Sequence, residues 1–129
     1  MPGFKRTPQR LAILDHLQGN TSHPSAEEIY RVVVKKNPSM SFATVYNTLH
    51  VLVKSGALRE LTIDPDRKRY DPNTSDHHHM MCTDCGKVVD VFAHIPVALP
   101  EADAKDFSVT GSHIQFYGEC IHCRKKQRG

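Results

Sequence analysis

Two Cys-x-x-Cys pairs, Cys82/Cys85 and Cys120/Cys123, stand 34 residues apart and constrain this chain more than any other feature. Two chelating pairs supply the four thiolates of a closed, tetrahedral structural zinc site. Asp84-Cys85-Gly86 suits the tight knuckle turn that such a chelate needs. A structural Zn2+ is therefore expected to stitch together the two ends of the C-terminal half. A disulfide framework is disfavoured. No apolar run approaches the ~18 residues of a membrane span, and "MPGFKRTPQR" has no signal-peptide core. The expected location is cytoplasmic, with no membrane association, where thiols stay reduced. A thioredoxin-like redox pair would explain one motif but not the second.

The charge is divided along the same line. Residues 1–70 carry 11 Lys/Arg against 6 Asp/Glu, whereas residues 71–129 carry 6 against 8, together with all four Cys and six of the nine His. A basic half without cysteine, joined to an acidic half rich in donors, suggests nucleic-acid binding in the first and metal in the second.

The basic half has three helix signals. Thr7-Pro8 is an N-cap followed by Pro at the first helical position, and Leu11, Leu14 and Leu17, with Ile13, form its apolar face. "SAEE" is a capping box from Ser25 to Glu28, continued by Ile29, Val32, Val33 and Lys36 until Pro38. The third helix starts at Ser41, with Met40 and Val45 as a hydrophobic staple. Its buried stripe is expected at Phe42, Val45, Leu49, Leu52 and Val53, with Gly56 at the stop.

Its other face presents Thr44, Tyr46, Asn47, Thr48 and His50, with no Glu/Lys pairs. Small hydroxyls, an aromatic and an amide suit a helix laid in the major groove. "LRELTI" and "RKRYD" then alternate around the turn signal "DPD". Three helices and a hairpin read as a winged helix, with Arg67, Lys68 and Arg69 near phosphate. The bland counterpart is a small helical domain whose polar face meets only water.

The histidines need a separate explanation. In an extended stretch His77 and His79 share one face and His78 takes the other. Asp71 precedes them and Asp90 follows on "KVVDVF". Two imidazoles plus carboxylates form a nitrogen/oxygen set suited to Fe2+, Mn2+ or Zn2+; histidines in a polar turn can also be merely solvated.

Taken in order, "RTPQRLAIL", "HPSAEEIY", "SFATVYNTL", "SGALREL", "RYD", "SDHHHMMCTDCGKVVD" and "YGECIHC" resemble the ferric uptake regulator (Fur) family of metal-dependent repressors. The resemblance implies an α+β chain (a mixed α/β architecture): an N-terminal winged-helix DNA-binding domain of residues 1–70 and a small C-terminal α/β dimerisation domain of residues 71–129. It implies a homodimer that binds a palindromic double-stranded DNA operator when a regulatory metal is present. Carried over by position, the regulatory Fe2+ or Mn2+ would be held by His23, Asp71, His77, His79 and Asp90, and the zinc by Cys82, Cys85, Cys120 and Cys123. His23 enters only through the resemblance; alone, a His before Pro reads as a surface residue.

Asp at position 90 and Asn47 within "ATVYN" resemble the peroxide-responsive (PerR) branch more than the iron-responsive one. That branch implies oxidation of ligand histidines, here His23 and His77, by hydrogen peroxide at Fe2+. Three departures stand out. Only five residues precede "RTPQR", so an additional N-terminal helix is expected to be short or missing. Pro96 and Pro100 should shorten any helix in the dimerisation segment. A third metal site, seeded by Asp76 and His78, lacks its carboxylate near Val97, and His113 sits one residue off.

Plain iron-responsive or zinc-responsive repression remains open, as does a thiol switch in which peroxide oxidises the zinc cysteines. Enzyme chemistry is not expected. A zinc deaminase needs Glu beside its zinc His and Pro before the second Cys pair, and four thiolates leave no open position for water.

Overall fold

The computed structural model describes residues 6–128; the five preceding residues, where an additional N-terminal helix is expected to be short or missing, lie outside the described residues. Helix α1 (Pro8–Leu17) begins under Thr7, whose side chain accepts from the Arg10 amide, with Pro8 in the first turn. Helix α2 (Ala26–Lys36) carries the complete capping box: Ser25 Oγ accepts from the Glu28 amide while the Glu28 carboxylate accepts from the Ser25 amide. Helix α3 (Phe42–Lys54) starts under Ser41. It stops where Gly56, at φ +82°, bonds back to Val53 and Ala57 bonds to Leu52, the paired bonds of a glycine-terminated helix.

The three helices enclose one core of Ile13, Leu17, Ile29, Val33, Met40, Val45, Leu49 and Leu52, with Leu58 and Tyr70 from the following hairpin. Three expected core positions face water instead: Leu11, Val32 and Phe42 are exposed. Phe42 lies in the first turn of α3, beyond the core, and packs edge-on to Tyr30.

Strands β1 (Arg59–Leu61) and β2 (Arg69–Asp71) form the antiparallel wing, with Arg59 opposite Asp71. A second sheet has the order β4-β3-β5, built from β3 (His78–Cys82), β4 (Val88–Val91) and β5 (Gln115–Gly118). β3 and β4 are antiparallel neighbours, whereas β5 returns parallel to β3. Between β4 and β5 the chain makes one short helix, α4 (Glu101–Ala104), opened by Pro100. Pro96 and Pro100 keep the segment before it from helix, as Pro in a helix interior would. Helix α5 (Ile121–Arg128) closes the chain. A small cluster of Leu61 and Ile63 from the wing with Met81 and Val88 from the sheet joins the halves. No helix is long and apolar enough to cross a membrane among the described residues. The architecture is α+β.

Candidate functional site

The β3–β4 turn and the start of α5 bring the four cysteines together. Sγ–Sγ separations are 3.7 Å for Cys82–Cys123, 3.9 Å for Cys85–Cys120 and 3.5 Å for Cys120–Cys123. A tetrahedron of ~2.3 Å zinc–sulfur bonds has edges of about 3.8 Å, so the donor set fits Zn2+, whereas a disulfide needs about 2.05 Å. The amides of Cys120 and Cys85 donate to Cys82 Sγ and pull its thiol down to about 6. Hydrogen bonding to the Cys120 thiol, then burial, pushes Cys123 the other way.

The second cluster draws on three parts of the fold. His79 and Asp90 are cross-strand partners of β3 and β4. His77, just before β3, shares the face of His79, and both are buried. Asp71 ends β2. His23 comes from the α1–α2 loop, held at φ +52°, a left-handed conformation that costs a non-glycine residue about 1–2 kcal/mol. Asp71 Oδ2 lies 3.0 Å from both His77 Nε2 and His79 Nε2. Asp90 Oδ1 lies 2.8 Å from both His23 Nε2 and His77 Nε2. The remaining His–Asp edges, His23–Asp71 and His79–Asp90, are 3.5 and 3.4 Å. Donors about 2.1 Å from one ion and at right angles are about 3.0 Å apart, so His23, Asp71, His79 and Asp90, whose donor atoms all lie within 4.8 Å of one another, can hold a divalent ion such as Fe2+, Mn2+ or Zn2+, with His77 Nε2 beside them against both carboxylates.

The electrostatics agree with that fit. Burial would raise the Asp71 carboxyl, but hydrogen bonds from His23, His79 and the Asn73 amide outweigh it and hold it well below the usual carboxylate range. Burial would lower His23, yet its bonds to Asp71 and Asp90 leave it raised. A buried carboxylate, Asp71, and a half-buried one, Asp90, thus favour positive charge at this point.

The ligand rings are anchored unequally. His77 Nδ1 donates to the Ser75 carbonyl at 2.7 Å, which leaves Nε2 free to ligate. His79 Nδ1 meets His113 Nε2 at 3.0 Å. Among the described residues, His23 Nδ1 is buried without a hydrogen-bond partner. The His23 backbone, by contrast, is gripped by β2: Arg69 Nη1 donates to the His23 carbonyl at 3.0 Å, and the Tyr70 amide donates to the Pro24 carbonyl at 2.9 Å. Arg69 also reaches the Gly86 carbonyl of the cysteine knuckle at 2.7 Å and Asp64 at 3.0 Å. This corrects the expectation that Arg69 lies near phosphate. It is buried, and a Cβ at Gly86 would stand 3.4 Å from its Nη2.

His78 faces away from both clusters. The Ile114 amide donates to its Nδ1 at 2.9 Å, so a neutral ring carries its proton on Nε2 and offers no lone pair to an ion. Asp76 is exposed beside Arg59. Among the described residues, donor atoms converge closely at the cysteine cluster and around His23, Asp71, His79 and Asp90; His77 lies outside that closest group but touches both of its carboxylates. A cavity of about 650 Å³ opens beside the second cluster, lined in part by His77, His78, Phe92 and His113. Phe92 stacks on His77 with ring centroids 5.0 Å apart.

On α3, Tyr46, Asn47 and His50 are exposed and Thr44 is half-buried, its hydroxyl 2.9 Å from Ser41 Oγ. Thr48 must be withdrawn from the DNA-facing set. It is 1% exposed, and its hydroxyl donates to the Thr44 carbonyl at 2.7 Å. Arg67 and Lys68 project from the wing beside Asp64 and Glu60. The more exposed of these, Lys68–Glu60, is of a kind worth ~1 kcal/mol or less.

Sequence and fold comparisons agree on the kinship of the chain. The ferric uptake regulator family model matches residues 1–117. The peroxide operon regulator of Bacillus subtilis is 43% identical over 97% of this chain and 88% of its own length. The peroxide-responsive repressor PerR of Staphylococcus epidermidis is 40% identical over 96% and 84%. The solved peroxide stress regulator of Campylobacter jejuni superposes with a TM-score of 0.66 at 30% identity, covering 90% of this chain and 89% of that one. The iron-bound ferric uptake regulator of Francisella tularensis shares the fold, with a TM-score of 0.77 at 21% identity over 96% and 97%.

Proposed function

This chain belongs to the ferric uptake regulator family and is a metalloregulatory repressor; from that premise we propose that it senses hydrogen peroxide through Fe2+-dependent oxidation of its own ligand histidines. The observation that carries the reading is the convergence of His23, from the helical half, on Asp71, His77, His79 and Asp90. One ion held by all five ties the halves together and favours the arrangement in which two recognition helices of a homodimer meet a palindromic operator. In this reading residues 1–70 bind DNA through Thr44, Tyr46, Asn47, Arg67 and Lys68. Residues 71–129 dimerise around a structural Zn2+ on Cys82, Cys85, Cys120 and Cys123. The protein works in the cytoplasm.

Three observations support the peroxide branch over plain iron or zinc sensing: the peroxide-responsive relatives, Asp at position 90, and the cavity that gives a small oxidant access beside His77. Fe2+, when bound, supplies the redox chemistry that activates peroxide; Mn2+ at the same donors does not. The reactive positions are ring carbons of His23 and His77. One peroxide oxygen enters a ring C–H bond, the other leaves as water, and the ring is oxidised by two electrons. An oxygenated ring is a poorer donor. His23, whose Nδ1 has no partner, then lets go and the helical half is released.

Protein loaded anaerobically with Fe2+ and given stoichiometric peroxide should gain one oxygen on the peptide holding His23 or His77, read by peptide mass, with no gain in an Mn2+-loaded control. Disulfides with zinc release would instead identify a thiol switch. Unmodified peptides under continued metal control of DNA binding would identify an iron- or zinc-responsive repressor.

A further inference from the structure

We propose that His113 is a positioning residue for the metal site: it accepts the Nδ1 proton of His79 and so turns the His79 Nε2 lone pair toward the ion. The inference rests on the regulatory-site reading above and goes beyond its five ligands. His79 Nε2 is the atom that faces Asp71 and Asp90. A neutral imidazole that ligates through Nε2 must carry its proton on Nδ1, and a buried N–H needs an acceptor. His77 solves this with the Ser75 carbonyl. For His79 the atom within reach is His113 Nε2, at 3.0 Å.

The placement of His113 is built into the sheet. β5 runs parallel to β3 with His79 opposite Gln115. The His79 amide donates to the Ile114 carbonyl at 3.3 Å, and the Ile114 amide donates to His78 Nδ1 at 2.9 Å. His113 is thereby held between two rings, stacked on His78 at 5.9 Å and edge-on to His79 at 5.2 Å. A ring fixed so firmly on an otherwise exposed residue needs a reason, and neither the zinc nor the DNA face provides one. The bond also links β5, which leads into the Cys120–Cys123 chelate, to the regulatory ligands.

The test is Mn2+ titration of zinc-loaded protein, following the free-ion electron paramagnetic resonance signal. His113→Ala should bind Mn2+ ~10–100-fold more weakly, the usual cost of losing an outer partner of a ligating histidine. His113→Phe keeps a ring for stacking but no acceptor, and should be as weak as His113→Ala. His113→Asp restores an acceptor and should recover at least the parental affinity. With Zn2+ in both sites, 15N-resolved NMR should show a protected His79 Nδ1–H in the parent that is lost in His113→Ala, a readout independent of affinity.

Parental affinity in His113→Ala or His113→Phe overturns the proposal, as does a His79 proton on Nε2. His79→Ala separates the two levels of the argument. If it binds Mn2+ like the parent, the metal-site reading falls and this inference with it. If it loses Mn2+ while His113→Ala does not, only this inference falls.

Discussion

Cys82→Ser should emerge from purification without stoichiometric zinc and with a melting point lower by about 10 °C or more. Cys82 is one of the two buried corners of the thiolate cluster, with Cys123, and its Sγ takes amide bonds from Cys85 and Cys120. A serine oxygen is a harder donor and too short to complete a tetrahedron of thiolates. Without zinc, the connection from β4 through α4 to β5 is no longer closed at its far end. Cross-linking a loop of 15 to 100 residues is worth ~3–5 kcal/mol in a chain-entropy account, which for a chain of this size corresponds to roughly 10–20 °C. The loss should be regional. Hydrogen exchange is expected to speed up in β5 and α5, while α1–α3, whose core of Ile13, Ile29 and Leu49 is separate, stays protected. Parental melting and exchange in zinc-free Cys82→Ser would remove the structural role of the cluster.

The second large effect is expected at Asp71. Its Oδ2 is the common point of approach for His77 and His79, and its carboxyl is held ionised by the rings around it. Asp71→Ala removes a ligand and half the negative charge of the site, and leaves buried imidazoles without that acceptor. Losing an outer partner of a ligand costs ~10–100-fold in affinity, so losing the ligand itself should weaken Mn2+ binding by more than ~100-fold. Zinc content should remain parental, because the thiolates lie elsewhere. Calorimetric titration with Mn2+, alongside zinc analysis, checks both halves. Near-parental Mn2+ affinity in Asp71→Ala would mean that the ion sits elsewhere.

Short-range chemistry was legible in the sequence. The caps at Thr7, Ser25 and Ser41, the glycine stop at Gly56 and the alternation that sets His77 and His79 against His78 all depend on residues a few positions apart. Two misreadings had visible signals. Thr48 completes the series Val45, Thr48, Leu49, Leu52, an i, i+3, i+4, i+7 stripe that belongs inside; its hydroxyl finds a partner in its own helix. Arg69 lies two positions before Asp71 on one strand, so it shares the inward face of that residue. Treating it as one of a basic run obscured that parity.

Other features depend on the tertiary arrangement. His23 meets Asp90 across 67 positions of sequence, and family resemblance, not spacing, pointed to it. His113 reaches His79 because β5 returns parallel to β3, a pairing that no local pattern specifies. Its place one residue off a third metal site hid a different contact. Phe42 follows helix periodicity into the first turn of α3, where the core has already ended.

On the proposed function, a single ion held by His23 together with Asp71, His77, His79 and Asp90 is what licenses DNA binding. Its most direct test is equilibrium binding of zinc-loaded protein to a palindromic duplex chosen from a random library, with and without Mn2+, for the parent and His23→Ala. The parent should gain about 5–150-fold in DNA affinity from Mn2+, the usual range of allosteric coupling, whereas His23→Ala should gain nothing even at Mn2+ concentrations that fill its remaining ligands. A parent that binds the duplex equally well without Mn2+, or a His23→Ala variant that responds as the parent does, would show that no ion bridging the halves through His23 controls DNA binding.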